Sequence, residues 1–141
     1  MQTRVARQQD SSPSAGNDKK AARILWLLAN EYSFTTEELS LLLDVKARTI
    51  QDARRKQSFP NSSNDRYRRL GLLLGIKKNL EILYPRNDEV RQNWLRIPRE
   101  VFKTKSALEM IGEKPVESMA RLFTVRRLLD MQRNGTIASL T

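Results

Sequence analysis

The sequence has no cysteine and no histidine among its 141 residues. Without cysteine it can form no disulfide and offers no thiol nucleophile or thiolate metal ligand. Without histidine it lacks the commonest general base and the commonest metal ligand. Its five glycines are scattered, which excludes a glycine-rich phosphate loop, and no dense aspartate cluster indicates a carboxylate metal site. These absences argue against an enzyme and indicate no cofactor and no metal.

Long apolar segments are missing as well. The longest apolar runs cover residues 24–29 and, counting glycine, 70–76, far short of the ~20 residues that cross a bilayer. The N-terminal residues 1–18 lack the apolar stretch of a signal peptide. We therefore expect a cytoplasmic protein without a membrane partner.

Positive charge, by contrast, is abundant. The chain carries 26 Lys and Arg against 16 Asp and Glu, which gives a formal net charge of +10. An excess of this size predicts a polyanionic partner, and nucleic acid is the usual one. An anionic membrane surface is the weaker alternative.

Apolar residues recur with helical spacing and nowhere show sustained alternation, which predicts an all-α fold. Residues 1–18 are dominated by polar and small residues, which is typical of a disordered arm. The remaining chain divides by composition into a helix-turn-helix domain (19–58), a linker (59–65), a small helical domain (66–135) and a C-terminal tail (136–141).

The segment Thr36–Arg55, TEELSLLLDVKARTIQDARR, has the layout of a helix-turn-helix unit. Its features are, in chain order, a capping box at Thr35 and Glu38, a small residue at Ser40, a turn residue at Asp44, and inward-facing apolar residues at Val45, Ile50 and Ala53. Asp tolerates the left-handed backbone conformation that the turn requires. An ordinary hairpin of two helices is the alternative.

If the unit binds DNA, its recognition helix is Lys46–Gln57. Arginine suits guanine and glutamine suits adenine in the major groove, and the other cations are expected to hold phosphates. The side chains available to DNA are Lys46, Arg48, Thr49, Gln51, Asp52, Arg54, Arg55 and Lys56, of which Lys46, Arg55 and Lys56 are the expected phosphate contacts. For any one of them a plain solvated side chain is the alternative.

A heptad-like stripe runs through the next predicted helix, which ends before Pro85. Its members are Leu73, Ile76, Leu80 and Leu83. Such a stripe is either intramolecular core or the seam of a dimer. Gly71 and Gly75, one turn apart, would let another helix approach closely.

Four segments of the C-terminal half resemble the toxin-binding domain of the Xre/MbcA/ParS antitoxin family. They are RYRRLGLLLGIKKNLEILYP, NWLRIPREVF, KSALEMI and ARLFTVRRLLDMQRNG, within residues 66–135. The Trp-Leu-x-x-Pro signature corresponds to Trp94, Leu95 and Pro98. Ala107 replaces the family's usual proline, and Lys103-Thr104-Lys105 replaces a stretch that commonly contains glycine.

The resemblance implies an antitoxin, encoded beside a toxin of the RES-domain class that consumes NAD. The antitoxin would obstruct the toxin's active site with its C-terminal portion and repress its own operon through the helix-turn-helix. The implied toxin contacts are Arg126, Arg133, Asn134, Gly135, Ile137, Leu140 and Thr141, with a frayed chain end as the alternative. Core packing is expected for Trp94, Leu95, Met110, Phe123 and Leu129.

The expected partners are therefore operator DNA and a cognate RES-type toxin, in a homodimer or a toxin–antitoxin hetero-oligomer. The competing hypothesis is an orphan helix-turn-helix regulator whose C-terminal half serves only for dimerisation. The neighbouring gene distinguishes the two, because a small RES-like reading frame supports the antitoxin.

Overall fold

The computed structural model describes residues 13–61, 65–138 and 140, and within these ranges the fold is all-α, as predicted. The helices are α1 (Pro13–Tyr32), α2 (Thr36–Leu43), α3 (Ala47–Lys56), α4 (Arg66–Leu83), α5 (Asp88–Asn93), α6 (Ala107–Gly112) and α7 (Ser118–Arg133). Short 3₁₀ turns cover Trp94–Arg96, Glu100–Phe102 and Pro115–Glu117. None of the described helices is both long and apolar enough to cross a membrane.

The first helix begins earlier than the sequence predicts. Pro13 is its first residue, a position where the missing N–H of proline costs nothing. The expected disordered arm is therefore wrong for residues 13–18, and residues 1–12 lie outside the described residues. Asp18 lies inside α1, where its carboxylate accepts a hydrogen bond from the Tyr67 hydroxyl.

The buried side chains of both halves form one continuous core. Helices α4 and α7 pack along each other at its centre. In the heptad-like stripe, Leu73, Ile76 and Leu80 are at most 2% exposed, and Leu83 packs half-buried against the core. The stripe is therefore intramolecular core and cannot also be a dimer seam.

The predicted linker begins inside this core. Phe59 is fully buried, and its N–H donates to the Asp18 carbonyl at 3.0 Å. The Arg66 guanidinium lies over the Phe59 ring, 5.2 Å from its centroid. The linker thus separates two stretches of sequence that share a core.

Two arginines of the C-terminal half hold α2 in place. Arg69, only 2% exposed, donates to the Leu42 carbonyl at 3.3 Å and to the Ser118 hydroxyl. Arg69 therefore ties the end of α2 to the start of α7.

Arg96 forms the second tie, at the other end of α2. Its guanidinium donates hydrogen bonds to both carboxylate oxygens of Glu38, at 2.7 and 2.9 Å. It also donates to the carbonyls of Tyr32 and Ser33 at 3.0 and 2.9 Å. The hydrogen bonds from Arg96 hold the pKa of Glu38 below its usual value.

Candidate nucleic-acid interface

Helix α2 starts at the capping box that the sequence predicts. The Thr35 hydroxyl accepts from the Glu38 N–H at 3.0 Å, and the Glu38 carboxylate accepts from the Thr35 N–H at 2.9 Å. Two N–H groups that the helix leaves unpaired are satisfied in this way. The same carboxylate is held by Arg96, so the cap also attaches α2 to the C-terminal half.

The turn between α2 and α3 has the predicted geometry. Asp44 adopts the left-handed conformation, with φ 51° and ψ 52°. The Val45 N–H donates to the Ser40 carbonyl at 3.1 Å, and the Ser40 hydroxyl donates to the Val45 carbonyl at 2.5 Å. Ser40 therefore fixes the turn by hydrogen bonding, a role beyond the small size that the sequence pattern requires.

Helix α3 is the predicted recognition helix, one residue shorter at each end. Lys46 is its extended N-cap and Gln57 its left-handed C-cap. Ile50 and Ala53 face inward, exposed by 1% and 3%, as predicted. Burial of these two residues fixes which side of α3 faces solvent.

An outward stripe, called here the outer face, consists of Arg48, Gln51, Asp52 and Arg55. These positions follow the three- and four-residue spacing of one helix side. Arg48, Gln51 and Arg55 are exposed, and Asp52 is half-buried. Arg55 donates to the Asp52 carboxylate at 3.2 Å, an exposed pair that contributes little to stability.

The other predicted DNA contacts lie at the flanks of α3. Thr49 is half-buried and, with Lys46, lines a hollow beside the turn. Arg54 turns toward α1, where its guanidinium lies 4.7 Å from the Trp26 ring centroid. Lys56 lies at the end of α3 on the same groove as Arg54. The structure thus separates Arg54 from the outer face, a distinction that the sequence pattern did not reveal.

The predicted toxin contacts are spread over α7 and the tail. Arg126 lies across Gly75 of α4, so closely that a Cβ on Gly75 would be 2.5 Å from its Nε. Arg133 and Asn134 are exposed at the end of α7, and Gly135 follows with a positive φ of 73°. Thr141 lies outside the described residues.

The tail packs on the protein, although the sequence predicts little core contact there. Leu140 is 8% exposed, and Ile137 packs half-buried against the core. The Arg99 guanidinium lies 4.1 Å from the Trp94 ring centroid and donates to the Leu140 carbonyl at 3.0 Å. The expected apolar anchors for a toxin are thus occupied within the chain itself.

The core expected around the resembling motifs is found with one exception. Trp94, Leu95 and Leu129 are at most 1% exposed, and Met110 is half-buried. Phe123 is 58% exposed, so the prediction that it packs in the core is wrong. It borders a shallow hollow between α7 and α4, which Arg68 and Leu72 of α4 also line, whereas Val125 and Leu129 are buried in the core.

No protein-family model matches this chain, and no curated protein matches it in sequence. The resemblance of residues 66–135 to the Xre/MbcA/ParS family therefore rests on the motifs quoted above.

Proposed function

We propose that this chain binds operator DNA in a sequence-specific manner through α3. The observation that carries the proposal is the turn at Asp44, held by Ser40, which buries Ile50 and Ala53 and leaves the outer face in solvent. A helix presented in this way can enter the major groove while the preceding helix crosses the backbone. The net charge of +10 favours approach to a polyanion.

The outer face has the chemistry for reading base edges. The Arg48 guanidinium can bond guanine O6 and N7 together, and the Gln51 amide can bond adenine N6 and N7. Asp52 adds an acceptor suited to the cytosine amino group, at the cost of repelling phosphates. Lys46 and Lys56, at the two ends of α3, suit the backbone on either side.

We further propose that the chain is the antitoxin of a RES-type, NAD-consuming toxin and represses its own operon in the cytoplasm. This second proposal is supported by the motifs in residues 66–135 and by the exposed end of α7 at Arg133 and Asn134. The chain itself would act by binding and would not be an enzyme. Any toxin contact through Ile137 or Leu140 would first require the tail to detach.

The competing proposal is an orphan regulator whose C-terminal half only dimerises. The buried stripe of α4 is not available for such a dimer. The exposed apolar residues Val116 and Phe123 remain as a surface on which one could form. Co-purification with the product of a neighbouring RES-like gene supports the antitoxin, and a homodimer without such a neighbour supports the regulator.

The DNA-binding proposal is tested with the chain's own promoter fragment and a scrambled duplex of equal length. We expect Arg48→Ala and Gln51→Ala each to cost ~1–3 kcal/mol on the promoter and much less on the scrambled duplex. Lys78→Ala, which removes an exposed charge from α4, is the control and should change neither affinity. Equal binding of the wild type to both duplexes would contradict sequence-specific recognition.

The antitoxin proposal is tested by co-expression with the neighbouring toxin. We expect the full chain to restore growth, and Arg133→Glu to restore it less while the purified variant remains folded by circular dichroism. The matched control is Arg86→Glu, at an exposed position between α4 and α5. Failure of the full chain to restore growth or to bind the toxin would contradict the proposal.

A further inference from the structure

A basic groove lies between α1 and the C-terminal end of α3. It is lined by the cations Lys19, Arg23, Arg54 and Lys56, together with Trp26. Among the described residues, none of those lining it is acidic. None of the four cations forms a salt bridge within residues 13–61, 65–138 and 140, whereas several arginines of the C-terminal half are paired with carboxylates.

The position of Arg54 shows how the groove is related to the outer face. Arg54 follows Ile50 by one helical turn, so it projects from the flank of α3 that faces α1. Its guanidinium stacks on the Trp26 ring at 4.7 Å. Stacking leaves the N–H groups at the rim of the guanidinium free to donate, and it fixes their direction.

Helix α1 supplies the second wall. Lys19 and Arg23 are both exposed and are four residues apart, so about 6 Å of helix rise separates them along one side. Trp26 and Asn30 continue the same row and also line the groove. A row of cations with this spacing is suited to successive charges on a polyanionic strand.

We propose that the basic groove clamps the phosphate backbone of duplex DNA beside the site read by the outer face. Arg54 binds a phosphate and does not read a base, Trp26 positions Arg54, and Lys19 and Arg23 add contacts from α1. The inference rests on the proposed function. It assigns part of DNA binding to α1, which lies outside the helix-turn-helix unit of residues 36–55.

Duplex DNA is favoured as the ligand because the groove and the outer face share α3. A duplex that lies along Arg48 and Gln51 continues toward the C-terminal end of that helix, where Arg54 and Lys56 are located. Phosphate contacts are independent of sequence, and each one makes the negative slope of log affinity against log salt concentration steeper by ~0.9. The slope therefore counts phosphate contacts, and the affinity ratio between operator and scrambled duplex reports base reading.

The experiment measures binding of the full chain to both duplexes between 50 and 200 mM salt. We expect Arg23→Ala and Arg54→Ala to lower affinity for the two duplexes by the same factor and to reduce the slope by ~0.9 each. Arg48→Ala should instead lower the affinity ratio. Lys78→Ala is the charge-matched control and should leave slope and ratio unchanged.

Trp26 is tested by a conservative and a disruptive variant. Trp26→Phe keeps an aromatic face for Arg54 and should retain the wild-type slope, whereas Trp26→Leu should reduce it. Adding Arg54→Ala to Trp26→Leu should cause little further loss, because both changes remove the same contact. Thermal unfolding of each variant verifies that it is folded, and a merely structural role for Trp26 would not change the slope of a folded protein.

Three outcomes would overturn the clamp. A lower affinity ratio with an unchanged slope for Arg54→Ala would make Arg54 a base-reading residue. Wild-type slopes for both Lys19→Ala and Arg23→Ala would exclude α1 from the interface while leaving the proposed function intact. Failure of the wild type to bind either duplex would contradict the proposed function itself, and the clamp with it.

Discussion

Shortening Leu140 to alanine should destabilise the whole protein, although the residue is second to last in the sequence. Leu140 is 8% exposed and belongs to the single core. Its carbonyl accepts from Arg99, whose guanidinium is stacked on the buried Trp94. Leu140 thus attaches the tail to the core through its side chain and one charged hydrogen bond, in addition to the packing of Ile137.

The magnitude follows from the carbon atoms removed. Leu140→Ala deletes three of them, and each buried methylene contributes ~0.8 kcal/mol, which gives ~2.4 kcal/mol. Leu140 keeps 8% of its surface exposed, so we expect ~2 kcal/mol, the lower end of the range for buried leucines. For a protein of this size such a loss lowers the melting temperature by roughly 4–8 °C.

The assay is urea unfolding followed by circular dichroism, with thermal unfolding as a second measurement. Thr136→Ser, in the same tail but exposed, is the matched control and should have the stability of the wild type. If Leu140→Ala unfolds at the wild-type midpoint with an unchanged slope, the tail is not attached as described. A toxin could then contact Leu140 without the tail first detaching from the core.

Three further predictions concern the remaining structure. Glu38→Gln keeps the capping box but loses the charge that Arg96 holds. Because folding lowers the pKa of Glu38, the variant should be ~1 kcal/mol less stable at pH 7, and the difference, measured by urea unfolding at each pH, should be lost as the pH falls through that lowered pKa. At Gly71, within α4, an added Cβ meets open space, so Gly71→Ala should stabilise the protein by ~0.5–1 kcal/mol. At Gly75 the Cβ must displace Arg126, so Gly75→Ala should stabilise less, and equal gains in thermal unfolding would contradict the contact between Gly75 and Arg126. Thr104 has a φ of 67°, which is unfavourable for a β-branched residue, so Thr104→Gly should stabilise by ~1 kcal/mol, and a loss of stability would contradict the strain.

Several helices could be predicted from the sequence because they carry local signals. Capping boxes begin α2 and α6, Pro85 follows the end of α4, and Asp44 marks the turn. The inward side of α3 followed from two apolar residues at helical spacing. Such signals involve residues within about one turn of each other, so the sequence alone reveals them.

The contacts between distant segments could not be predicted in this way. Arg96 and Glu38 are 58 positions apart, and Arg54 and Trp26 are 28 apart, so no local pattern connects them. The burial of Arg69 could have been predicted, because it precedes Leu73 by one helical turn and therefore lies on the core side of α4. Phe123 has the spacing of a core residue, and that spacing alone does not distinguish it from an exposed apolar side chain.

The start of α1 is not predictable from the sequence for a related reason. Residues 13–18 have the small and polar composition of an unstructured segment. Within the fold, Asp18 gains a hydrogen bond from Tyr67 and another, through its carbonyl, from Phe59. The composition of this segment gives no reason for a helix. Its contacts are with residues about 40 to 50 positions away, which no local pattern reveals.

The attachment of α2 by Arg69 and Arg96 has a consequence for exchanging parts between related proteins. A recognition unit can be transplanted freely only if its host contributes nothing to its geometry. Two arginines of the C-terminal half donate hydrogen bonds to four acceptors of this unit. The acceptors are the carbonyls of Leu42, Tyr32 and Ser33 and the carboxylate of Glu38. A chimera that takes residues 19–58 from another protein would keep these contacts only if its backbone placed the same carbonyls, and a carboxylate, beside Arg69 and Arg96. A new DNA-sequence preference would therefore be obtained more readily by changing side chains on the outer face of α3 than by exchanging residues 19–58 as a whole.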